Sequence, residues 1–305
     1  MLNDIPVTEQ DNPRSAQIDS MSIAEVVALI NAEDLGVAEA VRRELTHVTR
    51  AIEGIVDRMR RGGRLIYVGT GTSGRLGVLD ASECPPTYGV SPDLVQGIIA
   101  GGYDACHRAV EASEDDGEAG VADLAARDVS ERDAVVGLTA SGRTPYTIGA
   151  VRHARSVGAF TVAITCVPAS AITRECDVPI VPVVGPEVVS GSTRMKAGTA
   201  QKLVLNMIST TALIQLGYVR GNRMSNMRAR NTKLQARAVG ILRSDTSLDE
   251  QAAHAALADA GGDVATALVM IKARRSCTEA QAALQAAGGI ISTALTILQA
   301  QGETS

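Results

Sequence analysis

The spacing of hydrophobic positions changes twice along the chain. Over residues 22–59 apolar residues recur at helical spacing in two stripes, 23–30 and 48–56, which predicts two antiparallel helices. Short continuous apolar runs then alternate with helical patterns. From about residue 245 the chain is rich in alanine and glutamine and lacks strand patterns. This order predicts N-terminal helices, a central α/β region and a small C-terminal helical domain.

Short apolar runs in the central region are the candidates for β-strands. They cover residues 64–68, 94–99, 134–138, 160–165 and 178–183. Helical patterns such as 103–111 and 145–157 separate most of them, and a long helical pattern, roughly 194–216, follows the last. Continuous apolar strands that alternate with helices are typical of a parallel sheet covered on both faces. We therefore expect a three-layer, doubly wound α/β fold.

The chain is expected to have three parts. Residues 1–60 form a polar arm and a helical hairpin that packs on the core, 61–240 form the α/β domain, and 245–305 form a small helical bundle. The bundle contains an internal repeat, because residues 256–268 align with 283–295 and both copies carry Ala-Gly-Gly and Thr-Ala-Leu. Gly-Gly between apolar helices indicates a helix end and a new start. Packing on the main domain is the expected role of the bundle, with a binding function as the alternative.

Composition narrows the classes of function. The formal net charge is −5 and the chain has five Tyr, one Phe and no Trp, which argues against a nucleic-acid partner. Five cysteines without a CxxC pair indicate reduced thiols rather than disulfides or zinc, as in cytoplasmic proteins. The N-terminal residues lack the apolar segment of a signal peptide, and no apolar run reaches the length of a membrane span.

Two hydroxyl-rich loops follow predicted strands and share the tripeptide Ser-Gly-Arg. They are residues 69–75, Gly-Thr-Gly-Thr-Ser-Gly-Arg, and residues 139–145, Thr-Ala-Ser-Gly-Arg-Thr-Pro. Glycines let backbone amides approach an anion, and the helix that follows presents its positive end. Loops at the carboxyl ends of parallel strands can converge on one ligand, so we expect a phosphate site, with ordinary helix caps as the alternative. The candidate ligands are Thr70, Thr72, Ser73, Thr139, Ser141 and Thr144.

A third segment, residues 190–196, adds two cations before a predicted helix. Cations oppose the dipole at a helix N-terminus, so helix stability does not explain Arg194 and Lys196. We expect Ser192 and Lys196 to help hold the anion, with a solvated helix cap as the alternative.

Two glutamates are candidates for acid–base chemistry, and no Ser/His/Asp arrangement or metal cluster competes with them. Glu83 is expected in the last turn of the helix after the first loop, because Cys84-Pro85-Pro86 should break that helix. The negative end of the dipole there favours the protonated form that a general acid needs. Glu114 lies in the acidic run 111–116, where like charges favour protonation of one member. The alternatives are an exposed surface glutamate at 83 and a solvated loop at 114.

Long segments of the chain resemble one family. They are residues 67–89, 99–102, 140–146 and 185–202, with motifs such as Ala-Ser-Glu-Cys-Pro-Pro-Thr-Tyr-Gly and Ser-Thr-Arg-Met-Lys-Ala-Gly-Thr-Ala-Gln-Lys. These segments resemble the N-acetylmuramic acid 6-phosphate etherases. The glucokinase regulatory protein is similar over the same core.

The resemblance implies an SIS fold, a homodimer with the active site near its interface, and no metal or cofactor. It also implies that the D-lactyl ether of N-acetylmuramic acid 6-phosphate is cleaved in the cytoplasm by elimination and hydration. Glu83 matches the family's acid and Glu114 its second catalytic glutamate. One departure is Met224-Ser225-Asn226, where the family usually carries Met-Val-Asp.

Two other functions remain open on the same fold. One is a phosphosugar aldose–ketose isomerase, and the other is a non-catalytic phosphosugar-sensing regulator. The presence of both Glu83 and Glu114 favours the enzyme. A DNA-binding regulator is disfavoured, because no basic helix-turn-helix precedes the sheet.

Overall fold

A computed structural model of the chain describes residues 5–108, 110, 113–229 and 231–302. By packing, the chain divides into two compact units. The first unit comprises residues 1–82 and 93–210, and the second comprises 83–92 and 211–305. The three-part division at residues 60 and 240–245 stays a prediction about folding domains.

The first unit is built on a parallel five-stranded sheet with the strand order β2-β1-β3-β4-β5. The strands are β1 Leu65–Gly69, β2 Val95–Ile99, β3 Ala134–Leu138, β4 Phe160–Ile164 and β5 Val178–Ile180. Every residue of β1 and β3 is buried, as a sheet covered on both faces requires. The predicted doubly wound fold is confirmed, and each predicted strand lies within a few residues of its observed position.

Seven α-helices begin in the first unit as the structure describes it. They are α1 Ile23–Asp34, α2 Val37–Arg42, α3 Leu45–Arg60, α4 Gly71–Tyr88, α5 Gly117–Ala125, α6 Pro145–Ser156 and α7 Lys196–Gln215. The prediction of a helix over 103–111 is wrong, because among the described residues of this stretch only a 3-10 turn, Tyr103–Cys106, forms. Residues 109, 111 and 112 of that stretch lie outside the described residues.

The N-terminal hairpin of two helices is also wrong, since three helices form. Ser22 and Glu25 make a capping box that starts α1. The helix is then interrupted at Gly36, before α2, and again at Glu44, before α3. The Glu44 carboxylate accepts a hydrogen bond from Val181 N, 2.9 Å away, just beyond β5. This bond ties the residue before α3 to the segment that follows β5.

Pro85 and Pro86 do not break α4, contrary to the prediction. The helix continues to Tyr88, and Gly89 N donates to Pro85 O at 2.9 Å. Each proline removes one helical hydrogen bond, to the carbonyls of residues 81 and 82, without ending the helix. Glu83 therefore lies more than one turn from the helix end, where the macrodipole has little effect.

The second unit has its own apolar core and is helical, as predicted for the C-terminal region. Its helices are α8 Thr232–Asp245, α9 Glu250–Asp259, α10 Val264–Ala273, α11 Cys277–Ala286 and α12 Ile291–Gly302. Both Gly-Gly pairs of the repeat, 261–262 and 288–289, have positive φ angles and separate one helix from the next. Among the described residues no single helix could cross a membrane, and α11 with α12 reach that length only as a pair bent by 115°.

Asn226, which stands where the resembling family usually carries aspartate, makes a specific hydrogen bond in this unit. Asn226 is buried, and its Nδ2 donates to the carbonyl of Gly289 at 2.7 Å. An ionised aspartate has no hydrogen to donate to that carbonyl. The asparagine therefore ties the segment before α8 to the second Gly-Gly turn.

Candidate functional site

A cavity of about 390 Å³ opens at the carboxyl ends of β1 and β3. In this strand order these two neighbours form the switch point of the sheet, where open α/β folds bind ligands. The cavity lining brings Glu114 together with all seven hydroxyl side chains predicted to hold the anion. These are Thr70, Thr72, Ser73, Thr139, Ser141, Thr144 and Ser192.

The first loop delivers the N-terminus of α4 to the cavity. The helix begins at Gly71, directly after β1, and its first full turn closes with a bond of 2.9 Å from Gly74 N to Thr70 O. The first N–H groups of a helix have no intrahelical acceptor, and here they belong to residues that line the cavity. Amides and partial positive charge together make this helix end suited to an anion.

The second loop is organised around the Thr139 hydroxyl. Its Oγ1 lies 2.9 Å from Thr144 Oγ1 and 3.5 Å from Ser141 Oγ, and it accepts from Gly142 N at 3.2 Å. Gly142 has φ +68°, and a Cβ there would lie 2.0 Å from Ser170 Oγ, so the turn requires glycine. Thr144 precedes α6 without a side-chain capping bond. Its hydroxyl is directed to the loop rather than to capping the helix.

Glu114 is fixed between the two loops. Its backbone carbonyl accepts from Tyr146 N, in the first turn of α6, at 3.1 Å. A Cβ on Gly71, at the start of α4, would lie 3.1 Å from Glu114 Oε1. The half-buried carboxylate therefore stands beside the first turn of α4 and lines the cavity.

Glu83 lies elsewhere in this single chain. It is exposed on α4 and is not part of the cavity lining. Its role as a general acid stays a prediction.

Lys196 also lies outside the cavity lining. Its Nζ is 2.5 Å from Glu33 Oε2, and the two side chains are only 5% and 10% exposed. Glu33 accepts further bonds from Asn12 Nδ2 at 2.9 Å and from Arg14 Nη1 at 2.7 Å. Burial acts to raise the pKa of Glu33, but the bonds and charges of Lys196, Asn12 and Arg14 together hold that pKa below its ordinary value. The ion pair gives Lys196 a structural partner, and its role in phosphate binding stays a prediction.

The N-terminus of α7 carries its own carboxylate. Glu187 is 1% exposed and accepts from Lys196 N at 3.0 Å and from Ala197 N at 2.9 Å. The protein's own carboxylate therefore occupies this helix end.

The N-terminal arm contributes a residue that sequence reasoning missed. Glu9 lines the cavity from a 3-10 turn, Val7–Glu9. The arm is held by a bond of 3.2 Å from Gly191 N to Thr8 O and by one of 2.7 Å from Ser190 Oγ to Asp11 Oδ1. No local sequence pattern predicts that Glu9 lines this cavity, because the residues that hold the arm in place are about 180 positions away in sequence.

Arg75 and Arg194 add positive charge to the cavity lining. Arg75 is the last residue of the first loop, and its guanidinium donates to the carbonyls of Cys106 and Arg108, both at 3.2 Å. Arg75 thereby holds the segment after β2 beside the cavity. Among the described residues the lining also includes the small side chains Ala100, Ala105 and Val110.

Comparison with known proteins agrees with this architecture. Residues 47–155 match the model of the glucokinase regulatory protein N-terminal SIS domain, and residues 113–211 match that of the SIS domain. A protein of Symbiobacterium thermophilum is 57% identical over 88% of this chain and 89% of its own length. Relatives from Clostridium beijerinckii and Aeromonas hydrophila are 53% and 50% identical, over 90% of this chain and 90% and 92% of their own lengths. All three are named N-acetylmuramic acid 6-phosphate etherase. At this identity and coverage, the chain belongs to the N-acetylmuramic acid 6-phosphate etherase family.

Proposed function

We propose that this protein cleaves the D-lactyl ether of N-acetylmuramic acid 6-phosphate, giving N-acetylglucosamine 6-phosphate and D-lactate. It is then a carbon–oxygen lyase that needs no cofactor and acts in the cytoplasm. The names of its relatives support this activity. The observation that carries the proposal is one cavity in which two hydroxyl-rich loops flank the carboxylate of Glu114.

The phosphate is assigned to the two loops. The hydroxyls of Ser73, Ser141 and Thr144 and the first amides of α4 belong to residues that line the same cavity. Arg75 and Arg194 add positive charge to the same lining. Binding energy from the phosphate, which takes no part in bond breaking, then positions the reacting carbons of the sugar.

The chemistry needs a base and an acid at neighbouring carbons. In the open-chain sugar the C1 aldehyde acidifies the proton on C2, and the lactyl ether oxygen is attached to C3. A base removes the C2 proton, the freed electron pair forms the C2–C3 double bond, and the C3–O bond breaks. The departing alkoxide takes a proton from a general acid and leaves as lactate. Water then adds across the double bond, with hydroxyl at C3 and hydrogen at C2.

Glu114 is the proposed group for activating the water, and it is also a candidate for the C2 base. Glu83 is the proposed general acid, although it is exposed and lies outside the cavity lining of its own chain. The proposal therefore includes a homodimer with its active site near the interface. In this homodimer the Glu83 of one chain is the general acid at the cavity of the other chain. Mixing inactive Glu83→Gln and Glu114→Gln dimers and allowing exchange of subunits tests this arrangement. Recovered activity supports shared sites, and continued inactivity contradicts them.

The product assay separates the possible functions. Incubation with N-acetylmuramic acid 6-phosphate in oxygen-18 water is expected to give lactate without label and a sugar labelled at C3. Label in lactate contradicts elimination followed by hydration. A ketose product without lactate indicates an isomerase, and tight binding without turnover indicates a regulator.

A further inference from the structure

A buried amide lies directly behind the first phosphate loop. Gln201, on α7, is 1% exposed, and its Oε1 accepts a hydrogen bond of 2.9 Å from Ser73 Oγ. The other end of the same amide, Nε2, is buried and has no hydrogen-bond partner among the described residues. Buried donors are normally satisfied, so this one calls for an explanation.

This arrangement directs Ser73 away from an anion. A serine hydroxyl has a single hydrogen, and here that hydrogen is donated to Gln201. Only the lone pairs of Ser73 Oγ then face the cavity. Lone pairs repel a phosphoryl oxygen, so Ser73 cannot serve as a phosphate donor while this bond lasts.

Rotation of the amide resolves the conflict. The oxygen and nitrogen of a carboxamide have nearly the same size, and a half-turn exchanges them in the same space. Nε2 then donates to Ser73 Oγ, and the hydroxyl hydrogen of Ser73 is released towards the cavity. In the present orientation Nε2 has no partner, so a bond between Ser73 and the anion favours the other orientation.

We propose that Gln201 is a positioning residue for the phosphate, and that its amide donates to Ser73 when substrate binds so that Ser73 donates to the phosphoryl group. This inference rests on the phosphate role of Ser73 in the proposed function. Glutamine is suited to the position because it offers both an acceptor and a donor. Through it α7 serves the phosphate site, although its own N-terminus is capped by Glu187.

The test is a double-mutant cycle in the full-length protein. The variants are Gln201→Met, which keeps the length of the side chain without its polar atoms, Ser73→Ala, and the two combined. Lactate release gives kcat and KM, and thermal unfolding reports on folding. Gln201→Met is expected to raise KM about threefold to tenfold with kcat within about twofold, because the bond from Nε2 that holds the Ser73 hydroxyl in its donating orientation is lost. In the Ser73→Ala background the same substitution is expected to leave KM unchanged. Gln235→Met, the same replacement at an exposed position, is the matched control.

Different results overturn different claims. If Ser73→Ala raises KM but Gln201→Met raises it equally in both backgrounds, Gln201 does not act through Ser73 and this inference fails alone. If Ser73→Ala leaves KM at the wild-type value, Ser73 does not bind phosphate, and both the inference and that part of the proposed function fail.

A second variant covers a failure of Gln201→Met to fold. Gln201→Glu keeps the acceptor for Ser73 but has no donor when ionised. Because burial raises the pKa of the new carboxyl, KM of this variant is expected to rise as pH is raised and the carboxyl ionises, which holds Ser73 in its present orientation. A KM for Gln201→Glu that stays at the wild-type value across the whole pH range overturns the inference.

Discussion

Replacing Lys196 by methionine separates a structural role of this lysine from a role in binding phosphate. The substitution keeps the aliphatic stem and leaves the Glu33 carboxylate, 10% exposed, without its ammonium partner. Removing one partner of a buried ion pair costs about 3–5 kcal/mol. Asn12 and Arg14 still bind Glu33 in the variant, so we expect the lower end, about 3 kcal/mol.

Urea and thermal unfolding measure this loss directly. A loss of about 3 kcal/mol corresponds to a fall in Tm of roughly 6–12 °C for a domain of this size. Adding Glu33→Gln to Lys196→Met removes the unpaired charge, and the pair should show a coupling energy of about 1–3 kcal/mol. KM is expected to change little in Lys196→Met, because the cavity lining does not include this residue. Unchanged stability with a strongly raised KM would refute this reasoning. It would indicate that Lys196 binds the phosphate.

The same ion pair predicts a dependence on pH. The pKa of Glu33 is lowered in the folded protein, so its contribution to stability is complete above its unfolded value, about 4.3, and is lost as pH falls through the lowered folded value. The difference in free energy of unfolding between wild type and Glu33→Gln should therefore shrink below about pH 4. A difference that stays constant under acid contradicts this assignment.

Three further substitutions test the cavity. Glu114→Gln is expected to lower kcat by about 10²–10⁴-fold with little change in KM, and near-normal lactate release would remove Glu114 from proton transfer. Thr139→Val removes the hydroxyl that joins Thr144 to the rest of its loop, so it should cost about 1–3 kcal/mol in unfolding experiments and raise KM; if neither value changes, the loop does not depend on this hydroxyl. Gly71→Ala places a Cβ 3.1 Å from Glu114 Oε1 and should lower kcat, whereas Gly62→Ala, also at positive φ but with nothing within 4 Å, should lose only about 1–2 kcal/mol of stability. Equal kcat values for the two alanine variants would contradict the proposed contact with Glu114.

The sheet could be predicted from the sequence because its strands are short, continuous apolar runs. The pattern predicts the bounds of Ala134–Leu138 to the residue, since all five residues are buried and polar residues flank them. The predictions that were wrong concern helix boundaries. They depended on contacts distant in sequence or on prolines that the helix tolerates. Glu44, where the helical pattern is interrupted, is bonded to Val181, which is 137 residues away and cannot be found from the local pattern. The α4 prolines cost individual hydrogen bonds that the rest of the helix withstands.

The candidate site divides in the same way. Hydroxyl-rich loops after strands are local signals, and their members meet in one cavity as expected. The partner of Lys196 could not be read from the chain, because Glu33 lies 163 residues away in an unrelated pattern. Gln201 resembles any polar residue of a helix until burial shows that one of its amide atoms has no partner.

With the phosphate and proton-transfer roles proposed above, the hydrogen bond from Tyr146 N to Glu114 O links substrate binding to catalysis. Tyr146 stands two residues after Thr144, so whatever steadies the loop around Thr139 also steadies the main chain that carries the Glu114 carboxylate. A sugar without its phosphate would bind more weakly. It would also meet a Glu114 carboxylate whose position had not been fixed by the loop. Selectivity against unphosphorylated sugars would then arise in the turnover step as well as in capture.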